Sequence, residues 1–282
     1  MKALHLLACQ VSVPITPDAE ARNAHVAALC KRLENAAIGQ DLDLIVLPEL
    51  SSMEYSDLAF TRLNALAEPG DGPTFQCFSA LAQKLGTAIV FGFARQSERG
   101  TTICQAAIAP SGDLLGHYDK LHLAQFGASA EAGAFNAGDH LFCFSVKGLK
   151  IAPLICYDIR FPDLAARLAG EGVDVVMQCS AYARDLSFHS WRHFVVSRAM
   201  ENGMAWLGLN RAGPDWGGSI WCPGYADGDD PEVVFGADEE FRRISLPLDF
   251  RRHVAERLPF LKDRRDDYNT LPVQVPPGEI GT

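Results

Sequence analysis

The chain has 282 residues, 48% of them hydrophobic and 21% charged, the proportions of a globular protein with a sizeable core. Its formal net charge of −10 argues against a nucleic-acid or anionic-membrane partner, because clusters of Lys and Arg hold such partners. No apolar run approaches the roughly 20 residues of a membrane helix, and the eight cysteines are scattered without a C-x-x-C, so a reducing cytoplasm without disulfides is expected.

MKALHLLACQV alternates and reads as a first strand over 3–11 rather than as a leader. Residues 18–37 set Val26, Leu29, Cys30 and Leu33 on one helical face. A buried strand from Leu42 to Leu47 follows. Pro73 at a first helical turn and Gly86 at a helix stop then bracket an amphipathic helix. AIVFGFAR and TTICQAAIAP are strands, and Ser111-Gly112 turns the second into DLLGHYDK as a hairpin. LFCFSVKGLKIAPLICYD supplies two strands around Lys147-Gly148. Pro153 in the second cannot donate a ladder hydrogen bond, so that strand is expected to be irregular or unpaired there.

PDLAARLAG reads as a short helix, VDVVMQCSA as a strand, SFHSWRHFVVSRAMENG as a helix ending at Gly203, and MAWLGLN as a strand. The remaining strands run to about Leu248, FRRHVAERL is helical, and the polar, proline-containing tail at about 263–282 is an arm. No repeat or linker interrupts the chain. A single α/β domain over 1–282 is expected, with helices covering either one mixed sheet or a pair of sheets.

Three strands deliver a reactive side chain at their carboxyl ends: Glu49 after LIVLP, Lys120 after LLGHYD and Cys156 after IAPLI. Ligands of open α/β sheets bind at such ends. Singly, each has a bland explanation: a surface carboxylate, a surface ammonium, a core thiol. Together they complement one another. A carboxylate can take the proton of a thiol, and an ammonium stabilises negative charge on sulfur or on a substrate oxygen. Periodicity alone does not show that they converge.

LPEL at 47–50, YDKLHL at 118–123 and LICYDIRFPDL at 154–164 resemble the signature stretches of the nitrilase, or carbon–nitrogen hydrolase, superfamily. The resemblance continues through Ser180-Ala181, Trp191 and Arg198-Ala199-Met200-Glu201-Asn202 to RLPFLKDRRDDY at 257–268, and so spans nearly the whole chain. It implies an α-β-β-α sandwich, and pairing across the helices into a homodimer or higher homo-oligomer. It also implies Cys156 as nucleophile, Glu49 as general base, Lys120 as the electrostatic partner of the oxyanion, and Glu131 in AEAGAFNAGD as a second glutamate. The Tyr157 N–H would be a further oxyanion donor, Tyr55 a wall of the pocket, and Asp158 a brace for the turn. Arg160 reads first, with Asp158, as a brace for the turn; Arg160 and Arg184, arginines near strand ends, are also candidate anchors for a substrate carboxylate. His122 and Trp191 read as packing residues, and the other seven cysteines as core.

Nitrilases proper carry Trp-Glu after the cysteine; here Tyr157 and Asp158 follow, as in the branch of ω-amidases and deaminated-glutathione amidases. The resemblance therefore implies hydrolysis of a small linear amide, by preference the ω-monoamide of a dicarboxylic acid, through a cysteine thioester. An N-carbamoyl hydrolase, an acyl transferase and a non-catalytic interaction scaffold are the alternatives. No cofactor is implied, and no H-x-x-x-H or C-x-x-C spacing suggests a metal.

Overall fold

The computed structural model describes residues 2–126, 129–226, 228–229 and 231–274. Its first half alternates strands and helices as the hydrophobic pattern requires. It comprises β1 (Ala3–Gln10), α1 (Ala19–Ala37), β2 (Leu44–Val46), the short α2 (Asp57–Phe60) and α3 (Leu63–Leu66), α4 (Pro73–Leu85), β3 (Ala88–Ser97), β4 (Gly100–Ile108) and β5 (Leu114–Asp119). The second half comprises β6 (Phe144–Val146), β7 (Leu149–Ile155), α5 (Pro162–Gly170), β8 (Val175–Cys179), α6 (His189–Asn202) and β9 (Ala205–Leu209). It closes with β10 (Ile220–Cys222), β11 (Val233–Val234), β12 (Glu240–Pro247), α7 (Phe250–Arg257) and α8 (Phe260–Asp263).

Local chemistry sets the helix ends. The Asp18 side chain caps α1 by accepting from the Ala21 N–H at 2.9 Å. Pro73 begins α4, and Gly86 ends it in the left-handed conformation at φ 63°.

The strands form two six-stranded sheets, ordered β12-β1-β2-β3-β4-β5 and β11-β10-β9-β8-β7-β6. Alternation along each strand feeds two layers at once. Leu4, Leu6 and Ala8 of β1 meet Met177, Leu207 and Ile151 of the other sheet in the central layer. Leu7 and Cys9 face outward to Val26 and Leu29 of α1 and Phe78 of α4. On the opposite outer face, Leu154, Val176 and Trp206 pack under Leu168 of α5 and Trp191 and Val195 of α6. The result is an α-β-β-α sandwich of two sheets, which answers the question periodicity left open.

Two expectations need adjustment. Pairing of β7 with β8 continues unbroken through Pro153, whereas its pairing with β6 stops at Ile151. Pro153 is thus unpaired on the β6 side, as expected, while against β8 the strand stays regular. Cys143 is exposed and Cys77 half-buried, so not all seven remaining cysteines are core. The two short helices α2 and α3 carry no periodicity long enough to read. The described part of the arm is largely exposed, and its end, 275–282, lies outside the described residues.

Candidate active site

Glu49 stands three residues beyond the end of β2, on a tight elbow whose next residue, Leu50, is left-handed at φ 45°. The elbow lies directly on β3. A Cβ at Gly92 would come within 2.6 Å of both the Pro48 carbonyl oxygen and the Leu50 nitrogen, so only glycine admits this approach. Ser51 fastens the crossing, its hydroxyl donating to the Gly92 carbonyl and accepting from the Gly92 N–H, each at 3.1 Å.

Lys120 follows β5 and is fully buried, as are Glu49 and Glu131. Its Nζ donates to Glu49 Oε1 at 2.8 Å and to Glu131 Oε1 at 2.6 Å. Each glutamate is held by its second oxygen. Glu49 Oε2 accepts from the Ala181 N–H at 2.7 Å, and Glu131 Oε2 from the Ala124 N–H at 2.8 Å. Tyr55 donates to Glu131 Oε1 at 2.5 Å. It therefore orients a glutamate rather than simply walling a pocket.

Cys156 follows β7 at φ 40°, a left-handed conformation that costs a non-glycine residue roughly 1–3 kcal/mol and aims its side chain off the strand line. Asp158 holds this turn. Its carboxylate accepts from the Ile155 N–H, the His122 N–H and the Tyr118 hydroxyl at 3.1, 3.1 and 2.7 Å. The packing readings also fit, with His122 stacked on Phe161 and the Trp191 indole donating to the Gly218 carbonyl at 2.8 Å.

The charges act on one another through a dry interior. Burial opposes the ionised form of Lys120, yet the Glu131 and Glu49 carboxylates override it and raise the pKa well above the ordinary lysine value. Burial raises Glu49 against the pull of Lys120, with the Glu131 charge adding to the rise. Burial likewise raises the Cys156 thiol, and Glu49 raises it further, which favours the protonated form. A thiol of this kind needs a base at the moment it attacks.

A narrow cavity of about 30 Å³ opens beside Cys156, lined among others by Phe126, Tyr157, Arg160, Ala181, Tyr182 and Asp185. Arg160 sits among four rings, 5.2 Å from the centres of Phe126 and Phe194, 5.7 Å from Tyr182 and 6.0 Å from Tyr157. It donates to the Tyr182 hydroxyl at 2.6 Å, while its buried Nε has no hydrogen-bond partner among the described residues. Arg184 does not reach the cavity. Its guanidinium is exposed, covers Phe188 and donates to the Trp216 carbonyl, because the chain at 183–185 turns Ala183 and Asp185 inward instead.

Several contributors carry no sequence signal of their own. The Ala181 and Ala124 N–H groups are backbone. Gln178 donates to the Cys156 carbonyl at 3.1 Å from within an apolar strand. Arg211, buried, clamps the elbow by donating to the Leu50 and Met53 carbonyls at 3.1 and 2.5 Å. Gly92 could have been suspected as a glycine in a strand interior.

Residues 8–240 match the family model described as carbon-nitrogen hydrolase. An (R)-stereoselective amidase from a Pseudomonas species is 30% identical, over 82% of this chain and 82% of its own length. A probable nitrilase of Schizosaccharomyces pombe is also 30% identical, over 80% and 83%. A CN-hydrolase superfamily protein from Xanthomonas campestris, solved with an arsenic adduct in its active site, superposes with a TM-score of 0.78 at 25% identity, covering 94% of this chain and 98% of that one. With a sandwich of this topology, a buried Glu–Lys–Glu cluster and a strand-end cysteine, the chain belongs to the carbon–nitrogen hydrolase, or nitrilase, superfamily, enzymes that cleave non-peptide C–N bonds.

Proposed function

We propose that the protein is an amidase that hydrolyses a small linear amide to its acid and ammonia, with Cys156 as nucleophile. The observation that carries this reading is the buried Lys120 ammonium, shared between Glu49 and Glu131 at 2.8 and 2.6 Å, whose charges act on the Cys156 thiol. Glu49 takes the thiol proton as sulfur attacks the amide carbonyl. The oxyanion is met by the Lys120 ammonium and the Tyr157 N–H. Glu49 returns the proton to the departing amine, ammonia leaves, and a thioester remains. Water enters, Glu49 removes its proton, and the acid departs as the Cys156 sulfur is reprotonated. Glu131, anchored by Tyr55 and Ala124, holds the ammonium in place.

For substrate class, the proposal is an amide whose far end bears a carboxylate. Arg160 supports it: a guanidinium at the cavity, bonded to a tyrosine hydroxyl, with one buried N–H that has no partner among the described residues. An entering carboxylate would supply the charged acceptor that Tyr182 does not. The test compares kcat/KM for a dicarboxylic acid monoamide with that for its neutral isostere. Loss of a charged hydrogen bond is worth roughly 1.5–3 kcal/mol, so the acid should be favoured by about tenfold to over a hundredfold. Arg160→Met should remove that preference while leaving hydrolysis of the neutral amide intact. Equal rates on both amides would defeat the substrate proposal.

The proposal extends to assembly as a homodimer pairing through outer helices, in keeping with the resemblance. The exposed Tyr268, Leu271 and Val273 of the arm support it, as apolar side chains that a partner would cover. Light scattering should return twice the 30.7 kDa chain mass.

A further inference from the structure

Two cysteines far from the site lie against each other. Cys30 is on α1 and Cys77 on α4, helices packed side by side on the outer face of one sheet, and their sulfurs are 2.8 Å apart although 47 residues separate them. A second tie joins the same helices, the Lys84–Glu34 ion pair at 2.6 Å. Cys30 is buried and Cys77 half-buried, so the pair has one sulfur open to a reagent and the other behind it. The hydrogen bond between the sulfurs holds Cys77 below the ordinary thiol value and Cys30 above it. Neither touches the Glu–Lys–Cys cluster.

We propose that Cys30 and Cys77 form a dithiol site that a small-molecule disulfide oxidises to an intramolecular disulfide, stapling α1 to α4. The Cys77 thiolate, having lost its proton, attacks one sulfur of the reagent. The reagent's S–S bond breaks, and its other half leaves as a thiol after taking up a proton. Cys30 then loses its proton and attacks the Cys77 sulfur, expelling the second half as a thiol. The two cysteines are oxidised and the reagent is reduced to two thiols, with protons conserved.

Closing a loop of this length restricts the unfolded chain, and a disulfide of that kind is typically worth a rise in Tm of about 5–10 °C for a domain of this size. The experiment incubates the whole protein with oxidised glutathione, blocks free thiols, digests it without reduction and maps the peptides by mass spectrometry, alongside thermal unfolding. The expected result is a peptide containing Cys30 joined to one containing Cys77, with a raised Tm, both reversed by dithiothreitol. Cys143→Ser should behave as the wild type, since its exposed sulfur is expected to stop at a mixed disulfide. Cys77→Ser should show neither the linked peptide nor the rise, with unchanged amidase activity before oxidation. A mixed disulfide that stays on Cys77, both thiols still free after oxidation, or a linked peptide with no gain in Tm would each overturn the proposal.

Discussion

Lys120 neutralises two carboxylates that share one dry space, so its removal is an electrostatic event before it is a catalytic one. Lys120→Ala should leave Glu49 and Glu131 facing each other unpaired, at a cost of about 3–5 kcal/mol in urea-unfolding stability as well as turnover. Glu49→Gln should separate the two effects. It keeps the shape and leaves Lys120 bonded to Glu131, so kcat should fall about 10²–10⁴-fold while the protein stays folded. A kcat near normal with only KM raised would mean that Glu49 holds substrate and moves no proton.

The sign of the pH dependence follows from the same residue. Glu49 acts as a base only when ionised, and burial raises its pKa, so kcat/KM should fall with decreasing pH at a point above 4.5, the ordinary glutamate value. A limb at or below that value would contradict the assignment. Lys120 contributes in the other direction. Its native pKa is raised, so its stabilisation is complete below about 10.5 and is lost as pH climbs through the higher native value. Cys156→Ala should abolish turnover with the fold intact. Simple alkylation will not single Cys156 out, because Cys143 is exposed and will react as well.

At the scale of elements, function rests on how strands end. β2 runs into an elbow that clears β3 only because residue 92 is glycine, and Gly92→Ala should force the Pro48–Leu50 backbone outward. Overpacking of that kind costs about 1–3 kcal/mol, and displacement of Glu49 should cost activity well beyond that share, read by comparing kcat with the urea midpoint. Much of this level was legible beforehand. The alternation of β1, the proline and glycine bracketing α4, and reactive residues placed at strand ends are local properties, and local sequence encodes them. Convergence was not local: Glu49 and Ala181 meet across 132 positions, through a backbone N–H that any residue would supply. Arg184 misled for the same reason, since nearness to a strand end does not say which way a side chain turns. Glu131 was legible only through its resemblance to a family pattern, because its short turn has no periodicity of its own.

At the scale of the molecule, the reactive groups come from both halves of the sandwich. Glu49 and Lys120 are carried by the sheet containing β2 and β5, and Cys156 and the Ala181 N–H by the sheet containing β7 and β8. Leu6, Val46, Met177 and Leu207 meet at the centre of the layer between the sheets, and at the end of β1 the buried Gln10 accepts from the Ser219 N–H and hydroxyl beside β10 at 3.0 and 2.6 Å. Its apolar centre resists separation strongly, and the directional bonds that fix how one sheet slides over the other stand at its margins. The registration of the two sheets is thus gauged at the rim, by contacts such as the 2.7 Å bond from Ala181 to Glu49. Catalysis becomes a vernier for that alignment, sensitive to slippage too small to disturb any strand. Leu207→Ala, deep in the layer, should lower stability by about 2–5 kcal/mol. In its unfolding curve, activity should vanish at a lower urea concentration than far-UV circular dichroism, whereas loss of both signals together would show that the sheets part only when they melt.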